Sequence, residues 1–305
     1  MPITRHFLGW DGPALQRAGA YLHEHFGSGD GGWDLSGVIA VVPAGRAGRR
    51  LVEVLVTQAQ AEGRVLNPPR VVTAGDLPEL LYQPDGAVAG DLETMLGWVS
   101  ALRGMDSKVL ADLIPTPPAG DDVTGWWALA KQVRTLYDDL AGHRMGFADV
   151  PRLCAERGVA DFHSERRWDV LAQTQRAYLG ALASQNLTDR QAQRLSAIRE
   201  NRCGCDEDTR IVLIATPDLN DTAAAMLRQA GDRVTALVMT PDTHRDGFDD
   251  LGVIQSAYWQ DQAVQLRPGQ VRFVQRVSEQ PGELLARIAS ARDRARAGGE
   301  TLSAD

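Results

Sequence analysis

The segment Gly37-Val-Ile-Ala-Val-Val-Pro43-Ala-Gly45-Arg-Ala-Gly48-Arg-Arg-Leu51 joins an apolar run to a Gly/Pro turn and then to a helical pattern. Nucleotide-binding α/β proteins put a phosphate loop in that place. Its chemistry needs glycines for backbone approach, a Lys for the β- and γ-phosphates and a Ser or Thr for magnesium. Here the glycines are present, but Arg46, Arg49 and Arg50 stand where Lys and Ser/Thr belong. The chain's two lysines, Lys108 and Lys131, follow no Gly-rich turn. The pattern predicts an ATPase fold without ATPase chemistry, with no nucleotide cofactor and no catalytic residue. Guanidinium groups at a helix start suit another task, holding a DNA phosphate. The competing reading is a solvated helix face.

Other reactive residue types form weaker patterns. Asp218 after Pro217, and Asp242 after Pro241, imitate the first half of a nuclease motif. That chemistry needs a downstream acidic-x-Lys element to organise a metal-activated water. Both lysines lie upstream, so neither Asp belongs to such a site. Asp246, Asp249 and Asp250 read as a turn around Gly247. Cys154, Cys203 and Cys205 are an odd count that argues against a disulfide framework. Cys203-Gly-Cys205 is too short for a zinc knuckle, so no metal is expected. His23 and His25 do not share a helix face, and His6, His143, His163 and His244 are isolated, so no triad is suggested. Trp126-Trp127, Tyr137, Trp168 and Tyr178 are at helical spacing, which favours core packing over base stacking.

The whole chain bounds these options. Its 305 residues allow two domains, or one domain with an insertion. With 40 acidic and 32 basic residues the net charge is −8, which argues against a dedicated DNA clamp but leaves room for a local basic groove. No apolar run is long enough to span a membrane, and the N-terminus lacks the apolar core of a signal peptide, so a cytoplasmic location is expected.

The elements that must position these residues fall into three blocks. The first reads βαβα: a strand near His6–Gly9, strand Val38–Val42, a helix from Arg46 to Ala61, strand Val71–Thr73 and a helix from about Asp76. Residues 91–200 show no convincing strand. Asp91–Arg103, Val123–Ala141 and Ser164–Gln185 are amphipathic, and Thr188 with Gln191 forms a capping box for a fourth helix. Strands return at Arg210–Ala215 and Val234–Met239, separated by a helix from Asn220 to Gln229, as in a βαβ unit. Both end in the same tripeptide, Thr216-Pro-Asp218 and Thr240-Pro-Asp242. A strand Val271–Val274 and a helix from Gly282 to about Arg296 follow. Asp305 falls where a further strand is expected, which reads as a truncation point.

Six stretches in this order resemble the N-terminal part of AddB/RexB-type helicase–nuclease subunits, of the PD-(D/E)XK nuclease family. They are Val41-Val-Pro43 with Arg46, Arg49, Arg50 and Leu51; Pro69 to Leu77; Arg167-Trp168 ahead of Tyr178; Leu187-Thr-Asp189 with Arg194; Ile211 to Asp218; and Thr240 to Gly252. The resemblance implies an α/β, RecA-like (P-loop NTPase-like) parallel-sheet domain interrupted by an all-helical insertion, in a superfamily-1 helicase layout. Residues 1–90 and 206–260 would be the two halves of domain 1A, 91–205 the insertion 1B, and 261–305 the start of a second RecA-like domain. It further implies that Thr73 and Asp76 cap a helix touching single-stranded DNA, where a plain N-cap is the alternative.

In the family a phosphate loop can follow the first strand. Here Leu8-Gly-Trp10-Asp-Gly-Pro13-Ala-Leu-Gln lacks both the Lys and the Ser/Thr. The acidic pair that holds magnesium would lie near Ile214–Asp221, which offers Asp218 and Asp221 but no Asp-Glu. The implied role is non-catalytic: guiding DNA, with Arg46, Arg49, Arg50 and Thr73 as contacts, and docking a motor helicase subunit of AddA type in double-strand-break repair. Two rivals are an α/β nucleotide-dependent enzyme binding at the loops after Val42 and Ala215, and a protein-interaction scaffold that binds no DNA.

Overall fold

The computed structural model describes residues 2–27, 32–160, 162, 164–263 and 273–297. The chain divides into two units, Met1–Tyr258 and Trp259–Asp305.

The first unit contains strands β1 (Thr4–Phe7), β2 (Gly32–Asp34), β3 (Val38–Val42), β4 (Val65–Asn67), β5 (Arg70–Thr73), β6 (Ala87–Val88), β7 (Leu187–Thr188), β8 (Arg210–Ile214) and β9 (Val234–Val238). Its helices are α1 (Ala14–Phe26), α2 (Gly45–Ala61), α3 (Asp91–Arg103), α4 (Ser107–Leu110), α5 (Val123–Gly142), α6 (Asp149–Glu156), α7 (Glu165–Ala183), α8 (Arg190–Arg199) and α9 (Asp221–Ala230). Five strands form one parallel sheet in the order β1-β9-β8-β3-β5. Val38–Val42 and Ile211–Ile214 are therefore neighbours, with Ile39 opposite Ile211. The central strands are apolar along their length because both faces are covered.

Alternate residues of each strand enter opposite layers. Val38, Ala40, Val42, Val212, Ile214 and Leu237 pack with Leu22 of α1 and Leu51 and Leu55 of α2. Ile39, Val41, Ile211, Leu213, Val234 and Ala236 pack with Met226 and Leu227 of α9 and with Leu77 and Leu81. Gly48 lets α2 approach the sheet, since a Cβ there would lie 2.8 Å from Val71 Cγ1.

Helices α3, α5 and α7 form a second core. Along α5, Trp126, Leu129, Ala130, Val133, Tyr137 and Ala141 are buried, a single stripe at helical spacing. Trp98 stacks on Tyr178 with centroids 4.1 Å apart, and Gly97 leaves room for that ring. Asp189, 6% exposed, is the hub of this layer. Tyr137 donates to its Oδ1 at 2.6 Å and Tyr178 to its Oδ2 at 2.7 Å. Burial, and then the charge of Asp189, holds both phenols well above the usual tyrosine range, so they stay protonated donors. The helical layer is tied to the sheet layer by Thr222, whose hydroxyl donates to the Ala141 carbonyl at 2.6 Å, and by ion pairs Glu79–Arg194 and Asp85–Arg202.

Several local expectations change. The helix expected from Asp76 is only a 3-10 turn, Leu77–Leu80: the Leu81 N–H donates to the Pro78 carbonyl, and the Leu81 carbonyl accepts from the distant Gly204 N–H instead of a further turn. Helix α8 starts at Arg190, not Thr188. Asp189 is its cap, accepting from the Ala192 N–H at 2.8 Å. Thr188 lies in β7, which pairs with β6, so the block 91–200 does contain a short strand. The two-stranded pair β2–β4 is also additional. The first strand lies at Thr4–Phe7, two residues before its expected place, and β8 and β9 each end one residue earlier than expected.

In the second unit, residues 271 and 272 of the expected strand Val271–Val274 lie outside the described residues, and 273 and 274 carry no strand. A helix spans Gln280–Ala297, and Phe273, Val277, Leu284, Leu285 and Ile288 are exposed. Among the described residues no helix is long and apolar enough to cross a membrane.

Candidate nucleic-acid interface

In a parallel sheet all strand carboxyl ends lie on one edge. After β3 the chain turns at Pro43-Ala44 into α2 on one face; after β8 it passes through Ala215–Leu219 into α9 on the other. These adjacent strands thus make a switch point, where open α/β sheets hold ligands outside the strand ends. Thr73, at the end of β5, is level with Val42, and the Ala74 N–H donates to the Val42 carbonyl.

This edge brings the sequence-predicted contacts together but does not equip them equally. Arg46, Arg49 and Arg50 are all exposed in the first turns of α2. Arg50 pairs with Glu53 at 3.1 Å, so it must give up a partner to meet an anion. No ion pair engages Arg46 or Arg49 among the described residues. Ala44 at the N-cap supplies no side-chain acceptor, and the first turn of α2 has no acidic residue. Its leading N–H groups therefore present positive dipole charge beside the two arginines. Gly45 faces open space, and only Gly48 is needed for packing. The Thr73 hydroxyl is committed differently from the expectation: it donates to the Asp76 carboxylate at 2.6 Å. Asp76 in turn makes no side-chain cap. The pair closes a local turn, and a phosphate reaching Thr73 would meet the Asp76 charge.

The loop after β1 is filled from within. The Arg17 guanidinium donates to the Leu8 carbonyl and pairs with Asp11 at 2.9 Å. A Cβ at Gly12 would lie 2.8 Å from Arg17 Nε, so the guanidinium occupies the concavity. The hydrogen bond from Arg17 holds the Asp11 carboxyl below the usual range. The Arg17–Asp11 ion pair thus occupies this loop.

The edge holds two further features, of which only the repeated Thr-Pro-Asp tripeptide showed in the sequence. Ala215 has φ +49°, a left-handed backbone that an L-residue adopts at a cost of about 1–2 kcal/mol. The Thr216 and Thr240 hydroxyl oxygens, in residues 5% and 1% exposed, have no hydrogen-bond partner among the described residues. Trp10 was also missed: it is 60% exposed and stacks on His244, centroids 5.3 Å apart. An aromatic amid Gly, Asp and Pro is the one clue the sequence held.

The remaining candidates take ordinary places. Trp126, Tyr137 and Tyr178 are buried, while Trp127 is at the surface. Asp218 is exposed, Asp221 pairs with His143 at 3.1 Å and Asp242 with Arg245 at 3.1 Å. Asp249 accepts from the Leu251 and Val253 N–H groups, and Asp249 and Asp250 both pair with Arg228. His23 stacks on Trp33, and His25 on Tyr21. His163 lies outside the described residues. Burial pushes the Cys203 thiol up to about 11 and raises Cys205 as well. They line a cleft of about 590 Å³ at the opposite edge of the sheet, with Arg70 and Arg202. Among the described residues no His/Cys/Asp/Glu cluster could hold a metal ion.

The first unit is thus an α/β protein with a central five-stranded parallel sheet covered by helices. No protein-family model matches the chain, and no curated protein matches it.

Proposed function

We propose that this chain is a non-catalytic, RecA-like, helicase-type region of a DNA-end-processing helicase–nuclease subunit. It contacts DNA through the backbone phosphates and docks a motor subunit of AddA type. The observation that carries the reading is the carboxyl edge of the sheet. Its switch point presents an uncapped helix with Arg46 and Arg49, while the loop after the edge strand β1 is closed by Arg17 and Asp11. The first arrangement suits an anion held without sequence readout. The second removes the space for a nucleotide phosphate. The resemblance of the ordered stretches supplies the DNA-repair context and the motor partner.

Salt dependence tests the reading. Each phosphate contact contributes about 0.7 to the slope of log K against log salt for single strands and about 0.9 for duplex. Arg46→Ala with Arg49→Ala should lower the slope by about 1.4 or 1.8, respectively. Adding Arg50→Ala should change it less than either of the others, because Glu53 already holds that guanidinium. No binding by the full chain at low salt, or an unchanged slope in the double variant, overturns the DNA contact and favours a protein-only scaffold. Nucleotide turnover by the full chain would favour the α/β enzyme.

A further inference from the structure

Trp10 follows β1 by three residues, on the same sheet edge as Arg46 and Arg49. One indole face rests on the His244 imidazole at an interplanar angle of 24°. The Tyr258 hydroxyl lies 3.0 Å from His244 Nδ1 and holds that ring at its edge. Among the described residues His244 is the ring that Trp10 stacks on, and Trp10 is 60% exposed, so much of the side chain is open to a further contact.

The loop presenting it is pinned on both sides. The Leu8 N–H donates to the Val238 carbonyl at 2.9 Å and the Gly9 N–H to the Thr240 carbonyl at 3.0 Å. Gly9 takes φ +75°, which lets the chain turn Trp10 outward. Arg17 then clamps Leu8 and Asp11. An aromatic ring held this way loses little conformational freedom when a second ring stacks on it. Of the carboxylates nearby, Asp11 is paired with Arg17 and Asp242 with Arg245, while Asp246 is exposed.

Strand order sets the separation from the arginines. From β1 to β3 there are three ladder steps, β1-β9-β8-β3. At about 4.8 Å each these span roughly 14 Å, which a few unstacked nucleotides cover.

We propose that Trp10 is a base-stacking platform for single-stranded nucleic acid, at one end of a path whose phosphates lie over Arg46 and Arg49. Aromatic faces accept any base, so the contact adds affinity without sequence preference. This inference rests on the phosphate-contact reading and adds the substrate class: unpaired bases rather than duplex.

The experiment compares a fluorescently labelled oligothymidylate with an abasic oligomer of equal length, binding to the full chain followed by anisotropy across salt. Trp10→Ala should weaken oligothymidylate binding by about tenfold or more. It should leave the abasic oligomer and the salt slope unchanged, with an unaltered thermal melt because the ring is exposed. Trp10→Phe should recover most of the loss. Arg46→Ala with Arg49→Ala should lower the slope for both oligomers. If both oligomers bind equally well to the wild-type chain, or if Trp10→Ala binds oligothymidylate as tightly as wild type, stacking is overturned while phosphate contact stands. If neither oligomer binds, both proposals fall, and Trp10 is left to a protein partner.

Discussion

Replacing Asp189 by Ala should be among the most damaging single changes in this protein. The carboxylate is buried and takes three donors: the Tyr137 and Tyr178 hydroxyls at 2.6 and 2.7 Å and the Ala192 N–H at 2.8 Å. Hydrogen bonds to a charged group are worth about 1.5–3 kcal/mol each, and a lost N-cap costs about 1 kcal/mol. Simple addition gives about 4–7 kcal/mol. The two phenols share one acceptor, and water entering the vacated space would satisfy part of the loss, so about 4 kcal/mol is expected. That is a large share of the stability of an ordinary domain.

Asp189→Asn keeps the shape, the cap and one acceptor, and should cost about 1–2 kcal/mol. Urea unfolding followed by far-UV circular dichroism measures both. In a double-mutant cycle, Tyr178→Phe in the Asp189→Ala background should cost clearly less than in the wild type, because its partner is already gone. A cost under about 1 kcal/mol for Asp189→Ala, or strict additivity in the cycle, would show that Asp189 is not the hub of the helical layer.

Two further outcomes follow from the sheet edge. The Asp11 carboxyl should titrate below the ordinary aspartate range in a carboxyl-detected NMR titration, and return to that range in Arg17→Gln. Since the folded value is depressed, the stabilisation from this pair is present above the unfolded aspartate pKa and is lost as pH falls through the folded one. A normal Asp11 midpoint in the wild type would mean that the β1 loop is open. Ala215→Gly should relieve the left-handed backbone; set against the extra freedom of glycine in the unfolded chain, the net gain is about 0.5 kcal/mol. A loss of more than about 1 kcal/mol in urea unfolding would refute the strain.

Local pattern made much of the framework legible. Val38–Val42, Arg210–Ile214 and Val234–Val238 read as parallel strands because burial on both faces demands mostly apolar runs, broken here only by Arg210 and Thr235. Helices Asp91–Arg103 and Val123–Gly142 read from a 3.6-residue stripe that a helix must bury. Lysine scarcity, visible in composition, speaks against phosphate-loop chemistry. The capping box expected of Thr188 and Gln191 gives way to Asp189, because that carboxylate caps Ala192 while two distant tyrosines converge on it.

Only the tertiary structure decided what the site contains. Arg17 filling the β1 loop, Asp76 holding Thr73, and Glu53 holding Arg50 are each set by side-chain direction, which spacing alone does not fix. Trp10 and His244 lie far apart in sequence and meet because β1 pairs with β9. Strand order places β8 beside β3, with α2 and α9 on opposite faces, and so creates the switch point. Periodicity reports how each segment meets the core; it carries no term for which segments become neighbours, since that depends on contacts between residues hundreds of positions apart.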